Sequence, residues 1–351
     1  MKAASCAALF LAGLSFAVPV VAQTAPAKPP VVDDPAYTRP QQLVDVGGGR
    51  RLNLYCRGEG SPTVVFDSGL GDSTVAWALV QPAIAKKTRT CSYDRAGLGF
   101  SDAAKRPNDA KNDAEDLQAL LHAAHVAPPY ILVGHSAAGM AVRVFADRYR
   151  DEVVGMVIVD GSHEDQSRRE DAIGPFHKGQ WEAAMKDTSC LDAAKNGVIA
   201  KDSPVYKKCV MDEAIEPRYS QAIKDAVLKY AATLKWQLAN ASEKKSVFDA
   251  SADETRATRK DFGDMPIIVL THAPHPWPKD WTQALQDRHT LVWEDMHNEI
   301  ASMSTHGVNE IVPRAGHYIQ YDRPEIVIDA IDQVLSIAND QAQRSLVASN
   351  K

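Results

Sequence analysis

One serine stands between two unlike neighbourhoods. In "VGHSAAGM", residues 133–140, Ser136 follows "YILV", which is short, apolar and reads as a strand. It precedes "AVRVFADRYR", whose apolar residues recur at helical spacing. A sharp strand-to-helix turn holds such a serine clear of a sheet with its hydroxyl exposed. It also sets the hydroxyl beside a helix N-terminus, where free amides and the helix dipole favour negative charge. That is the setting an acyl-transfer nucleophile needs. Gly134 and Ala138 are small, as the close approach of strand and helix requires. A serine that merely caps a helix has the same local pattern, so the reading needs partners.

The other polar residues are less telling. His122 and His125 fall on a predicted surface helix, and the position of His135 is what the turn needs. His272 and His275 in "THAPHPWP" have a spacing that suits a metal, but no acidic or cysteine partner is near. Neither a metal nor a cofactor is expected. His163, just past a strand end, is a candidate pocket residue.

The elements that must position Ser136 follow a pattern. "QLVDV" and "RLNLYCR" read as strands joined by the turn "GGG" at 47–49. "TVVF", "TRTCSYD", "YILV", "VVGMVIVD", "MPIIVLT" and "GVNEIV" supply further strands. "KNDAEDLQALLHAAH" predicts a helix capped by Asn112 or Asp113, with Leu117, Leu120, Leu121 and Ala124 on one face. "PEIVIDAIDQVLSI" predicts a closing helix. Apolar strands alternating with helices imply an α/β fold with a mostly parallel sheet covered on both faces. Residues 162–262 break the alternation. They contain only helical stretches and read as a helical lid inserted between two strands.

Composition narrows the class. The chain has 351 residues and a net charge of −6, with no basic run, which argues against nucleic acid or an anionic membrane as partner. Residues 1–22 read as a signal peptide, with an apolar core at 6–18 and small residues before an expected cleavage after Ala22. Residues 23–39 read as an unstructured, proline-rich leader. The expected location is periplasmic or secreted, with no membrane anchor after signal removal. Export leaves Cys56, Cys91, Cys190 and Cys209 in an oxidising compartment. Cys190 and Cys209 lie close in sequence and would close a short loop, leaving Cys56 to pair with Cys91.

With these residues in hand, the chain resembles the α/β-hydrolase superfamily, whose G-x-S-x-G elbow is matched by Gly134-His135-Ser136-Ala137-Ala138. It departs at Ala138, with Gly139 one place later. The resemblance spans about residues 40–161 and 263–337; the core is expected over 40–161 and 263–351, with an eight-stranded sheet. "FDSGLGDS" resembles the family's oxyanion loop, which implies that the amides of Leu70 and Ala137 stabilise an oxyanion. "YDRAGLGFSD" resembles the loop after the fourth strand. "VPRAGHYIQYDRPE" resembles the loop of the catalytic histidine, which implies His317. The family's strand order also brings Cys56 near Cys91. Most members carry the acid after the seventh strand, yet "HAPHPWP" has no carboxylate there. Asp280 and Asp295 come later, and Asp160 ends "MVIVD" at the other position the family uses. Asp160 is the expected acid, and a strand end is rigid enough to fix one imidazole tautomer.

A serine nucleophile argues against haloalkane dehalogenase or epoxide hydrolase chemistry. The expected activity is hydrolysis of a small or medium ester, thioester or lactone by an acyl-enzyme on Ser136, His317 and Asp160. Leu70, Trp77, His163, Trp181 and Trp277 are candidate pocket walls. An aminopeptidase of the proline-iminopeptidase kind is the alternative, with Glu164 or Asp165 holding the substrate amine. A binding protein on a hydrolase scaffold is the other.

Overall fold

The computed structural model describes residues 31–174, 182–183, 185–210, 215–273 and 281–349. Eight strands form one sheet: β1 (Gln42–Asp45), β2 (Arg51–Arg57), β3 (Thr63–Asp67), β4 (Thr90–Tyr93), β5 (Tyr130–His135), β6 (Val153–Val159), β7 (Ile267–His272) and β8 (Gly307–Val312). Their order is β1-β2-β4-β3-β5-β6-β7-β8. The first two joints are antiparallel and the rest parallel. Each strand read from the sequence is present. The β1–β2 turn takes Gly47, Gly48 and Gly49 through positive φ of 81°, 63° and 66°, which glycine alone adopts without strain.

The helices, in chain order, are α1 (Gln81–Ile84), α2 (Ala110–Ala123), α3 (Ala138–Arg148), α4 (Gln166–Asp171), α5 (Ser189–Lys195), α6 (Tyr206–Val210), α7 (Gln221–Ala231), α8 (Leu234–Ser246), α9 (Ala250–Arg256), α10 (Gln283–Ala301), α11 (Ile319–Asp322) and α12 (Pro324–Ser349). Successive strand residues point to opposite faces. Val65, Leu132, Met156 and Val269 therefore join α2, α3 and the end of α10 in one core. Val64, Phe66, Val133, Val157 and Leu270 join α1 and α12 in the other. Burial on both faces explains why these strands are apolar throughout. The cap of α2 is Asp109, whose carboxylate accepts the Asn112 amide at 2.8 Å, not Asn112 or Asp113. Asp113 is instead buried, turned toward Arg95 at 3.8 Å.

Between β6 and β7 the described residues hold helices α4 to α9 and no strand. α5 to α8 share a core of their own, which includes Tyr206, Val210, Tyr230 and Trp236 and packs on Leu98 of the loop after β4. Both disulfides are as expected. Cys56 and Cys91 face one another across β2 and β4, and Cys190 joins Cys209 between α5 and α6. The end of the expected leader is ordered. Val32 exchanges backbone hydrogen bonds with Arg218 and Ser220, and Tyr37 is buried. Asp34 caps a short turn that starts at Pro35, so local capping and one aromatic anchor outweigh the proline-rich composition. No helix of the described residues is long and apolar enough to cross a membrane.

Candidate active site

The parallel strands end on one edge, where Asp67, Gly134, His135, Val159 and Leu270 lie in register. Ser136 sits there between β5 and α3 at φ 54°, a left-handed conformation that costs a non-glycine residue about 1–3 kcal/mol. Hydrogen bonds hold it. Its amide donates to Val159 O at 3.1 Å, and its carbonyl accepts the Ser162 amide at 2.8 Å. A Cβ on Gly134 would meet Ala138 O and a Val142 methyl at 2.8 Å, so this glycine is required. A Cβ on Gly139 would meet Gly161 Cα at 2.9 Å. The tightest contact of α3 with the end of β6 thus falls on Gly139, which leaves room for the Ala138 methyl.

His317 lies in the loop between β8 and α11. Its Nε2 is 2.9 Å from Ser136 Oγ and its Nδ1 is 2.6 Å from Asp160 Oδ2. Asp160 follows β6 directly and is fully buried. Four donors converge on it: His317 Nδ1, His272 Nδ1 at 2.7 Å, the His272 amide at 3.2 Å and Trp293 Nε1 at 2.9 Å. Burial alone would raise the Asp160 carboxyl, but the bonds from His272 and His317 prevail and hold it well below the carboxylate range. Burial would lower His317, but the hydrogen bond and charge of Asp160, and then the charge of Asp72, raise it above an ordinary imidazole. Its side chain keeps 43% of its surface open.

His135 is more than a spacer. Its Nε2 donates to the His317 carbonyl at 3.0 Å, and the rings lie 4.8 Å apart. Burial, then the charge of His317, pushes it down to about 3, so it stays neutral. The neutral ring ties the His317 loop to the end of β5.

The loop after β3, the expected oxyanion loop, is clamped by charge. Arg95, buried in the loop after β4, bonds the carbonyls of Ser68 and Gly69, the latter at 2.7 Å. The same guanidinium bonds Asp67 and Glu243, each at 2.7 Å. Glu243 comes from α8, and its other oxygen accepts the Gly71 amide at 2.7 Å. The amides of Leu70 and Ala137 have no acceptor among the described residues. Free N–H groups of this kind suit the charge that develops on a carbonyl oxygen under attack.

The pocket expectations fare differently. Trp77 is fully buried against Phe66 in the core under the sheet, with ring centroids 5.0 Å apart, and so is not a pocket wall. The turn at Thr74–Trp77 directs its indole inward. His163 is also buried: its Nδ1 accepts the Asp165 amide at 3.0 Å, and burial lowers it to about 4. It serves the turn into the insertion. Leu70 lines a cavity. Trp181, Trp277 and the rival acid Asp280 lie outside the described residues. Asp295 is on the exposed side of α10, the helix whose Trp293 reaches Asp160. Glu164 is bound by Arg143 and Lys260, and Asp165 by Arg168 and Arg256. Neither is open to a substrate amine. Trp293, Arg95 and Glu243 were not singled out from the sequence, and His272 was weighed there only as a metal ligand. Asp160, His272 and His317 each place a ligand atom within 4.8 Å of the others, but the bonds just described already explain that cluster.

This geometry has relatives. A family model described as alpha/beta hydrolase fold matches residues 62–324, and the chain belongs to that family. It is 24% identical over 286 residues to the uncharacterized protein YqjL of Bacillus subtilis (strain 168), covering 82% of this chain and 88% of that protein. It is 25% identical over 282 residues to the sn-1-specific diacylglycerol lipase ABHD11 of Mus musculus, covering 78% and 81%. A loop variant of the haloalkane dehalogenase DbeA from Bradyrhizobium elkanii superposes with a TM-score of 0.65 at 16% identity, covering 87% of this chain and 98% of that one. That likeness concerns the fold alone.

Proposed function

We propose that the chain is an exported serine hydrolase that cleaves carboxylic esters. The observation that carries this reading is the run Ser136 Oγ–His317–Asp160, with bonds of 2.9 and 2.6 Å and the serine on a left-handed turn. His317 Nε2 takes the hydroxyl proton as Ser136 Oγ attacks the carbonyl carbon. The oxyanion forms against the Leu70 and Ala137 amides. The imidazolium then protonates the departing alkoxide, leaving an acyl-enzyme. Water, deprotonated by the same nitrogen, attacks the acyl carbon, the bond to Ser136 Oγ breaks, Oγ takes the proton back from His317, and the carboxylic acid departs and ionises in solvent. Displacement at an alkyl halide or epoxide would leave a serine ether, which water does not cleave in this way. A serine nucleophile therefore favours acyl substrates over those handled by some proteins of this fold. Helices α4 to α9 act as the lid, since α8 supplies Glu243 to the oxyanion loop. The two disulfides support export into an oxidising compartment.

A fluorophosphonate probe tests the nucleophile. Labelling mapped to Ser136, and a fall in p-nitrophenyl ester turnover on the order of 10⁶-fold in Ser136→Ala, are the expected results. Retention of more than about a hundredth of the activity removes Ser136 from the mechanism. The aminopeptidase reading loses its acidic patch, because Glu164 and Asp165 are both paired. A prolyl arylamide assayed beside the ester separates the two.

A further inference from the structure

A second recognition element adjoins this site. A cavity of about 80 Å³ lies between the oxyanion loop and the helical insertion, walled by Leu70 and by Tyr318, the residue after His317. Four more aromatic rings line it: Tyr219, Tyr230, Trp236 and Tyr321. No lysine, arginine or histidine does so among the described residues. Two described carboxylates reach it, and they differ. Glu216 is spent on Arg218, with bonds to two guanidinium nitrogens. Asp72 has no ion pair, and its buried Oδ2 has no hydrogen-bond partner. The Tyr318 hydroxyl bonds to the Asp72 carboxyl and eases its ionisation. Burial, with the charge of Glu243, raises Asp72 to about 6 despite Arg95 and His317.

We propose that this cavity receives a quaternary ammonium group carried by the ester substrate. The inference rests on the ester-hydrolase reading and adds a substrate class to it. The Asp72 carboxylate, with no ion pair among the described residues, supplies charge, and the rings supply the polarisable faces that hold a cation. The choice of a quaternary over a primary ammonium follows from counting acceptors. The Tyr219 hydroxyl is bonded to Val75 O and the Tyr321 hydroxyl, and the Tyr230 hydroxyl to Ser73. Asp72 is the one carboxylate of the described wall that is not committed to an ion pair. A primary ammonium carries three N–H donors and would leave some of them unmet, at a cost each. A quaternary ammonium has none to satisfy. The volume admits a compact head group and not a long chain.

The test uses the full chain and tetramethylammonium as probe, with methylammonium and tert-butanol as controls. Calorimetry measures binding directly, and competition against a neutral p-nitrophenyl ester locates it at the site. Tetramethylammonium is expected to compete, and to bind about tenfold or more tightly than either control. Asp72→Asn, checked for a native melting transition, is expected to lose that advantage. Tetramethylammonium binding no better than tert-butanol overturns the proposal without any variant. Tighter binding of methylammonium overturns the quaternary assignment. Fluorophosphonate labelling of the same preparation keeps the readings apart. With Ser136 labelled and no cation bound, the hydrolase reading stands and the cation site fails. With Ser136 unlabelled, the hydrolase reading fails, and calorimetry alone decides the cation site.

Discussion

Replacing Asp160 by asparagine isolates what the buried carboxylate does. Asp160 accepts four bonds, two on each oxygen. Asparagine has one oxygen and one NH₂. Its oxygen can serve Trp293 Nε1 and the His272 amide, which share Oδ1. The NH₂ then faces both imidazole Nδ1 atoms, which share Oδ2. Each ring can adapt by moving its proton to Nε2 and accepting at Nδ1. For His317 that move is ruinous, because Nε2 is the atom 2.9 Å from Ser136 Oγ and can no longer take its proton. The expected fall in turnover is roughly 10⁴-fold, as for the wrong tautomer in other triads. That is about 5.5 kcal/mol in the barrier. Stability changes less. Four charge-assisted bonds become neutral ones, each weaker by about 1 kcal/mol, so a loss of up to about 4 kcal/mol is expected. Hydrolysis of p-nitrophenyl acetate measures the first quantity and urea unfolding the second. A fall in turnover below tenfold, in a variant that folds, would refute the reasoning and return the acid role to a residue such as Asp280.

Two further predictions use the same network. Glu243→Gln removes a charge from buried Arg95 and weakens the acceptor for the Gly71 amide. It should cost about 3–5 kcal/mol of stability, and it should lower kcat by about 10- to 100-fold with KM little changed, since the oxyanion donors shift. Steady-state kinetics below the melting transition checks this, and an unchanged kcat would separate the clamp from catalysis. The acid limb of kcat/KM should lie above the ordinary imidazole value of about 6.5, because His317 is raised and must be neutral to act. Asp160→Asn should move the residual limb to lower pH, which a pH–rate profile reads. The linked stabilities run in opposite directions. The His317 contribution is full below its unfolded value and is lost as pH rises through its raised folded value. The Asp160 contribution is full above the unfolded carboxylate value of about 4 and is lost as pH falls toward its lowered folded value.

The strands and the serine were legible because their signals are local. β3, β5, β6 and β7 are apolar on both faces, and the turn at Ser136 has strand pattern before it and helix pattern after it. Trp77 misled because a large aromatic just past an oxyanion loop suits a pocket equally well in sequence. Only the inward turn at Thr74–Trp77 sends it to Phe66. The Arg95–Glu243 clamp left no trace. Its partners are 148 residues apart, and "SEKKS" around Glu243 reads as a solvated helix surface. Its burial against the oxyanion loop follows from how the insertion packs, which no local pattern encodes.

The position of the acid shows how far a sequence argument can reach and where packing takes over. β6 and β7 are adjacent and in register, with Val159 opposite Leu270. Asp160 is the first residue past that pair on one chain segment and His272 the second on the other, and hydrogen bonds join them at the same edge. A carboxylate at either place can meet an imidazole arriving from the β8 loop. The chain puts the carboxylate on β6 and a histidine on β7, and that histidine bonds the same oxygen that serves His317. A lone buried carboxylate after β6 would have its second oxygen and its orientation to settle. The His272 ring and amide, with Trp293 from α10, settle both. His272 thus orients the Asp160 carboxylate from the end of β7, and the contact of Asp160 with His317 needs no carboxylate from "HAPHPWP".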